Sequence, residues 1–300
     1  MAGFNHTSSI EINSHAIKTY NYNLKTNLNP IDIKDSDSKK EFIKSINGKK
    51  INLISGGFPC QGFSMAGLRV VDDERNSLYL EMLAIVKKIK PDFVLMENVE
   101  GLRSMLNGEV EKKILLDYKK IGYKIDVSTL NSADYGVAQI RKRVIFIGNR
   151  LGIKNLYPAP LLNKNNYKTV KDEINRFLNS PENKDINHIF TKHSDSIINR
   201  LSELPQGQSL YPHYSDAWKR LFWDRPSAVV KENHGGVHVH PLLPRVLTPR
   251  ELAALQSFPD DFIFLGPKKW QLVQIGNAVP PLMAKAIGIS IKNSLREYYE

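Results

Sequence analysis

The chain has 300 residues, 41% hydrophobic, 24% charged and 9% aromatic, which excludes a wholly disordered or collagen-like protein. At about 150 residues per domain, the length predicts two domains or one large core with an insertion. Lys and Arg number 42 against 31 Asp and Glu, and the resulting net charge of +11 favours polyanionic partners without naming one. A single cysteine, Cys60, rules out an intramolecular disulfide and a Cys-rich zinc module, and it suits a reducing cytoplasm. No continuous apolar run approaches the roughly 18 residues that span a bilayer, and the first twenty residues carry no apolar segment of signal-peptide type.

In chain order, Ile51–Ser55 predicts a strand ending in Gly56-Gly57. Leu78, Met82, Leu83, Ile85, Val86 and Ile89 recur at helical spacing, and Asp92–Met96 follows as a buried strand ending at Glu97-Asn98. Further strands are predicted at Ile125–Leu130 and Val144–Gly148, and this alternation is the pattern of a parallel α/β sheet. From about Leu151 the periodicity weakens, and residues 151–210 are rich in Asn, Lys, Ser and Pro. Six of the eight histidines lie between His188 and His240, together with Trp218 and Trp223, which predicts a loop-built recognition unit. Its charge is modest, 12 − 9 = +3 over residues 151–240, so the basic excess is spread along the chain. Thr248-Pro249-Arg250-Glu251 has the form of a capping box with Pro at the first helical position. Pro280-Pro281 then opens a last amphipathic helix through Met283, Ala286, Ile287, Ile291 and Leu295.

Three clusters carry chemistry. In Gly56-Gly57-Phe58-Pro59-Cys60-Gln61-Gly62-Phe63-Ser64, a strand running into a Gly/Pro-rich turn presents a thiol at the C-terminal edge of the sheet, where open α/β proteins bind ligands. A buried packing cysteine is the alternative for a lone Cys. Glu97-Asn98-Val99 sets a carboxylate at a second strand end facing the same crevice, suited to general acid work or to binding a substrate nitrogen. Gln139-Ile140-Arg141-Lys142-Arg143 enters the strand after it, and Arg141 and Arg143 share a face because alternate strand residues do. Taken alone, the second cluster also reads as a turn and the third as a solvated charge run. His234, His238 and His240 have a spacing that metals use, but no cysteine or carboxylate completes a set, so a loop or strand is expected there and no metal. Trp218, Trp223 and Tyr214 are candidates either for stacking on bases or for the core.

The order and spacing of these clusters resemble the DNA cytosine-5 methyltransferases. Pro-Cys-Gln-Gly-Phe-Ser, Glu-Asn-Val and Gln-x-Arg-x-Arg match that family's catalytic motifs. The likeness continues in Glu11-x4-Ala16-x3-Tyr20-x2-Asn23, Asp32-Ile33, Asp73–Leu78, the run Arg245–Phe262 and Gln274–Pro281, so it covers all but the variable stretch 151–240. The resemblance implies a Rossmann-like, S-adenosylmethionine-dependent α/β sheet with a smaller, irregular target-recognition domain. It divides the chain into a catalytic and cofactor domain (1–150), a recognition domain with its connecting motif (151–262) and a C-terminal return (263–300). It also implies catalysis by Cys60, Glu97, Arg141 and Arg143, with Cys60 adding to C6 of a flipped-out cytosine, Glu97 at N3 and Arg141 at O2. Cofactor contacts are implied for Glu11, Asp32, Ile33, Pro59, Asn277 and Val279, and DNA contacts for Gln61, Ser64, Arg75, Arg225 and Arg245. Arg225-Pro226-Ser227 and Asn233–Gly236 resemble recognition elements near phosphate.

The family's usual opening, a strand and a Phe-x-Gly-x-Gly cofactor loop, has no counterpart here: Met1-Ala2-Gly3-Phe4 resembles the end of the helix that follows that loop. About 15–20 residues at ordinary element lengths are expected to be missing, and a shifted start codon, a shortened gene or a complementing fragment all fit. The expected protein is a cytoplasmic, monomeric enzyme acting on double-stranded DNA and paired with a separate restriction endonuclease. An inactive remnant that only binds DNA and an RNA cytosine-5 methyltransferase are the alternatives.

Overall fold

The computed structural model describes residues 1–59, 77–211, 213, 218–232 and 238–300. Helix α1 (Ser14–Leu24) starts at Asn13, whose side chain accepts the amides of His15 and Ala16, and α2 (Ser36–Ser45) starts at Asp35, which accepts Ser38 N. Strand β1 (Leu53–Gly57), helix α3 (Ser77–Ile89) and strand β2 (Phe93–Val99) follow, then α4 (Glu109–Lys120), β3 (Lys124–Asn131) and β4 (Lys142–Asn149).

The sheet order is β1-β2-β4-β3. β1 and β2 are parallel, with Gly57 opposite Glu97, whereas β4 runs antiparallel to both of its neighbours. The sheet is therefore mixed, which corrects the all-parallel expectation. Only residues 132–141 join β3 to β4, too few for the helical crossover that a parallel pair requires. β4 is buried along nearly all its length, and its alternation serves two cores. Val144 and Phe146 pack with Val94, Met96, Tyr79, Met82 and Val86 on one face. Ile145 and Ile147 pack with Phe93, Met283, Ile287, Ile291 and Leu295 on the other.

Beyond β4 the elements are short: α5 (Val170–Ile174), α6 (Asp195–Glu203), and the two-residue strands β5 (Lys219–Arg220) and β6 (His238–Val239), which pair in parallel. The chain closes with α7 (Pro249–Leu255), α8 (Lys268–Asn277) and α9 (Pro281–Tyr299). The capping box forms as expected, with Thr248 Oγ1 accepting Glu251 N and the Glu251 carboxylate accepting Thr248 N. A third core draws Ala138, Val170, Phe177, Leu221, Val230, Leu252, Phe264 and Ile275 together, so all three expected segments contribute to it. The stretch Lys268–Tyr299 has the length and mean hydropathy (1.2) of a membrane span, but it is two helices broken before Pro281, and α9 packs on the sheet.

Side chains bonded to main chain hold the irregular part. Arg220, 5% exposed, donates to the carbonyls of His240 (2.7 Å), Pro241 (3.0 Å) and Leu243 (3.3 Å), and also to that of Leu201. Arg250, fully buried, donates to Pro259 O (3.3 Å), Asp260 O (2.8 Å) and Phe262 O (3.2 Å). Asn23 exchanges two hydrogen bonds with the backbone of Ile263, and Thr19 Oγ1 accepts Leu265 N, which docks α1 on the segment before α8. Trp218 packs beside Leu201, Leu210, Val239 and Val246, and Trp223 packs on the third core, so both serve packing; Tyr214 lies outside the described residues.

Glu251 is the charged centre of this half. Arg245 donates to both its oxygens (2.8 and 2.7 Å), and His240 Nε2 lies 3.9 Å from Oε1. These bonds hold the Glu251 carboxyl below its ordinary range against the opposing effect of burial. Burial also pushes His240 down from 6.5 to about 4, and His188 moves in the same direction for the same reason. The folded state thus binds fewer protons than the unfolded state across this window, so stability is full above pH 6.5 and is lost as pH falls towards 4. His240 alone accounts for about 3 kcal/mol of that loss. Urea unfolding at pH 7 and pH 4.5 measures it, and His240→Gln is expected to flatten the difference. An unchanged slope in that variant would remove His240 as its source.

Candidate active site

β1 and β2 end side by side, and their C-terminal ends carry the site. Gly57 closes β1, and a Cβ there would stand 3.3 Å from Glu97 Oε2, so the small residue leaves that carboxylate its space. Glu97 is partly buried, and its Oε1 lies 2.7 Å from Arg143 Nε. Burial outweighs the two nearby guanidiniums, Arg143 and Arg141, and raises the Glu97 carboxyl above its ordinary 4.5. The side chain therefore holds its proton to higher pH than a free glutamate. Burial also pushes Arg143 down, and Glu97 opposes that shift.

Asn98 lies inside the Glu97-Asn98-Val99 cluster, but sequence reasoning gave it no role of its own. Its Nδ2 donates to Phe58 O (2.8 Å), which fixes the chain shortly before Cys60, while its Oδ1 accepts Val99 N (2.9 Å). The available signal was an amide placed in an apolar strand, where a buried polar group needs partners. Phe58 is buried and Pro59 exposed. Cys60, Gln61, Ser64 and Arg75 lie outside the described residues.

Arg141 and Arg143 are not equivalent. Arg143 meets Glu97, whereas Arg141, 2% exposed, gives Nη1 to Val230 O (2.8 Å) and Nη2 to Gly276 O (2.7 Å). Arg141 was expected at a base; here two main-chain carbonyls hold both its terminal nitrogens. Burial and then the like charge of Arg143 push its guanidinium down to about 9, so it stays charged at neutral pH.

Arg245 is also engaged within the protein. It was expected on DNA, but its guanidinium forms the two-bonded pair with the fully buried Glu251 and lies over the Phe190 ring. Arg225 is exposed, 4.3 Å from the Phe222 ring centroid and 3.9 Å from the Asp224 carboxylate.

Of the expected cofactor residues, the structure brings Glu11 beside 31–33 through a bond from Ile31 N to Glu11 O (2.8 Å). Glu11 Oε1 accepts Asn13 N (2.7 Å) and Asp32 Oδ1 accepts Lys34 N (2.8 Å), which leaves each carboxylate its second oxygen among the described residues. Two carboxylate oxygens next to the apolar Ile33 fit a nucleoside, whose hydroxyls and exocyclic amine donate and whose ring is flat and apolar. Asn277 is exposed at the end of α8, and Val279 is half-buried just beyond it.

Residues 1–293 match the family described as C-5 cytosine-specific DNA methylase. The Type II methyltransferase M1.HphI of Haemophilus parahaemolyticus is 40% identical over 97% of this chain and 81% of its own length. M.DdeI of Desulfomicrobium norvegicum is 31% identical over 96% and 83%. A crystal structure of a prophage-encoded E. coli protein, titled as a DNA modification methyltransferase, superposes with a TM-score of 0.79 at 28% identity, covering 98% of this chain and 94% of that one. With the glutamate–arginine pair at the strand ends and the family match running almost end to end, the chain belongs to the C-5 cytosine-specific DNA methylases.

Proposed function

We propose that this is a cytoplasmic enzyme that methylates C5 of a cytosine flipped out of duplex DNA, as the modification partner of a separate restriction endonuclease, and that it works as a monomer. The observation that carries the reading is the Glu97–Arg143 pair, 2.7 Å apart, beside the strand that leads into Cys60. C5 of cytosine is a weak nucleophile, and C6 is unreachable in a stacked duplex, so extrusion of the base comes first at a few kcal/mol. The Cys60 thiolate then adds to C6 while the raised Glu97 carboxyl gives its proton to N3, which leaves an enamine with its electron density at C5. Arg143, already against Glu97, takes the O2 contact. Glu11, Asp32, Ile33, Pro59, Asn277 and Val279 would hold S-adenosylmethionine, which would supply the electrophilic methyl group for C5. A base removes the C5 proton, the C6–S bond breaks to return the thiolate, and N3 gives its proton back to Glu97. Gln61, Ser64, Arg75 and Arg225 face the DNA in this reading.

The test is transfer of labelled methyl from S-adenosylmethionine to a mixed-sequence duplex, with transfer RNA as competitor. Incorporation into the duplex supports the reading; preferred incorporation into RNA, or none into either, overturns it. Because Glu97 works protonated and its carboxyl is raised, turnover is expected to fall as pH rises through that raised value. Glu97→Gln keeps a donor that does not titrate, so it is expected to turn over roughly 100-fold more slowly with the high-pH limb gone. A limb that survives the substitution belongs to another group.

A further inference from the structure

Val230 belongs to the recognition stretch, yet side chains of the Gln-x-Arg-x-Arg segment bind both its backbone groups. Gln139 Oε1 accepts Val230 N (3.0 Å), and Arg141 Nη1 donates to Val230 O (2.8 Å). The backbones meet just before this point: Ile140 N donates to Ser227 O (2.9 Å), and Ser227 N donates to Ala138 O (2.8 Å). The other arm of Arg141 reaches Gly276 O (2.7 Å), one residue before Asn277. Gly276 also touches the recognition stretch directly, since a Cβ there would stand 2.5 Å from Glu232 N and Lys231 C. Two residues along the chain from Arg141, Arg143 holds Glu97.

We propose that Arg141 is a positioning residue, not a base-contacting one. With Gln139 and Gly276, it joins recognition residues 227–232 to the strand carrying Arg143 and to the helix end on the cofactor side. The proposal rests on the methyltransferase reading for its functional consequence. A planar guanidinium reaches two carbonyls on separate segments in one fixed geometry, which a single ammonium cannot reproduce. The placement of the recognition stretch over the flipped base and the placement of Arg143 against Glu97 are then set by the same side chain. Gln139 and Arg141 are 0% and 2% exposed, so water does not replace either contact.

Arg141→Lys and Gly276→Ala are the variants. Hydrogen exchange in the free protein reads the joint without substrate: the Val230 and Ile140 amides are expected to exchange at least tenfold faster, with the β2–β4 ladder unchanged. Sequencing of methylated products gives the ratio of methylation at the preferred site to that at its single-base variants, a ratio that does not depend on how much protein is folded. That discrimination is expected to narrow about tenfold in both variants, with turnover reduced. Lost turnover with unchanged exchange at 227–232 would assign Arg141 to direct base contact and overturn the proposal. Faster exchange with unchanged discrimination would make the joint purely structural and overturn it as well. Should the wild-type chain transfer no methyl at all, the exchange arm still decides whether the joint exists, and the failure falls on the methyltransferase reading.

Discussion

Cys60→Ala is expected to lower methyl transfer by roughly 10⁴-fold or more, the scale of loss when a covalent nucleophile is removed, while affinity for duplex DNA is retained. The size follows from the chemistry at C5, which has little nucleophilic character until a thiolate has added at C6. Without that addition, the donor at Glu97 and the guanidinium of Arg143 have no developing charge to stabilise. Duplex carrying 5-fluorocytosine gives the complementary measurement. Fluorine cannot leave C5 as a cation, so elimination stops and a denaturant-resistant protein–DNA adduct is expected with the native chain and not with Cys60→Ala. Wild-type incorporation by the alanine variant would remove Cys60 from the mechanism, and an active enzyme that forms no adduct would argue against addition at C6.

Glu251→Ala carries the largest expected cost in stability, about 3–5 kcal/mol, because it removes the fully buried carboxylate that pairs a mostly buried guanidinium and caps a helix. Arg245 loses both hydrogen bonds to the carboxylate, and Thr248 N loses its acceptor at the start of α7. Glu251→Gln keeps the cap acceptor and loses the charge, so an intermediate value is expected. Urea midpoints with unchanged slopes give the comparison. A Glu251→Ala midpoint within about 1 kcal/mol of the native chain would show that Arg245 finds other partners once released.

What could be read from the residues was what local pattern controls. The four strands lie where apolar runs predict them, and α3 buries Met82, Ile85 and Val86 from the expected stripe. The Thr248 capping box needs only four consecutive residues, so it was legible without knowing what surrounds it. Strand direction was missed because the expected bounds, Leu130 and Val144, left residues 131–143 between the strands, long enough for a crossover, whereas both strands run further and leave only 132–141. Two arginines have intramolecular partners that the sequence did not suggest. Arg245 was expected on DNA, but its partner is Glu251, six residues on, brought back by the cap of α7. Arg141 binds main-chain carbonyls at 230 and 276, and a carbonyl leaves no mark on the sequence. Glu97 was singled out because a carboxylate at the end of an apolar strand is unusual, and the structure sets it against Arg143.

Arg220 and Arg250 are anchored on peptide oxygens, and every amino acid supplies one. A loop held in this way keeps its path while nearly any side chain is exchanged along it, provided the backbone angles remain accessible. If residues 151–262 read a target, as proposed, they are therefore free to change what they read: new side chains can be fitted to the same scaffold without rebuilding a sheet.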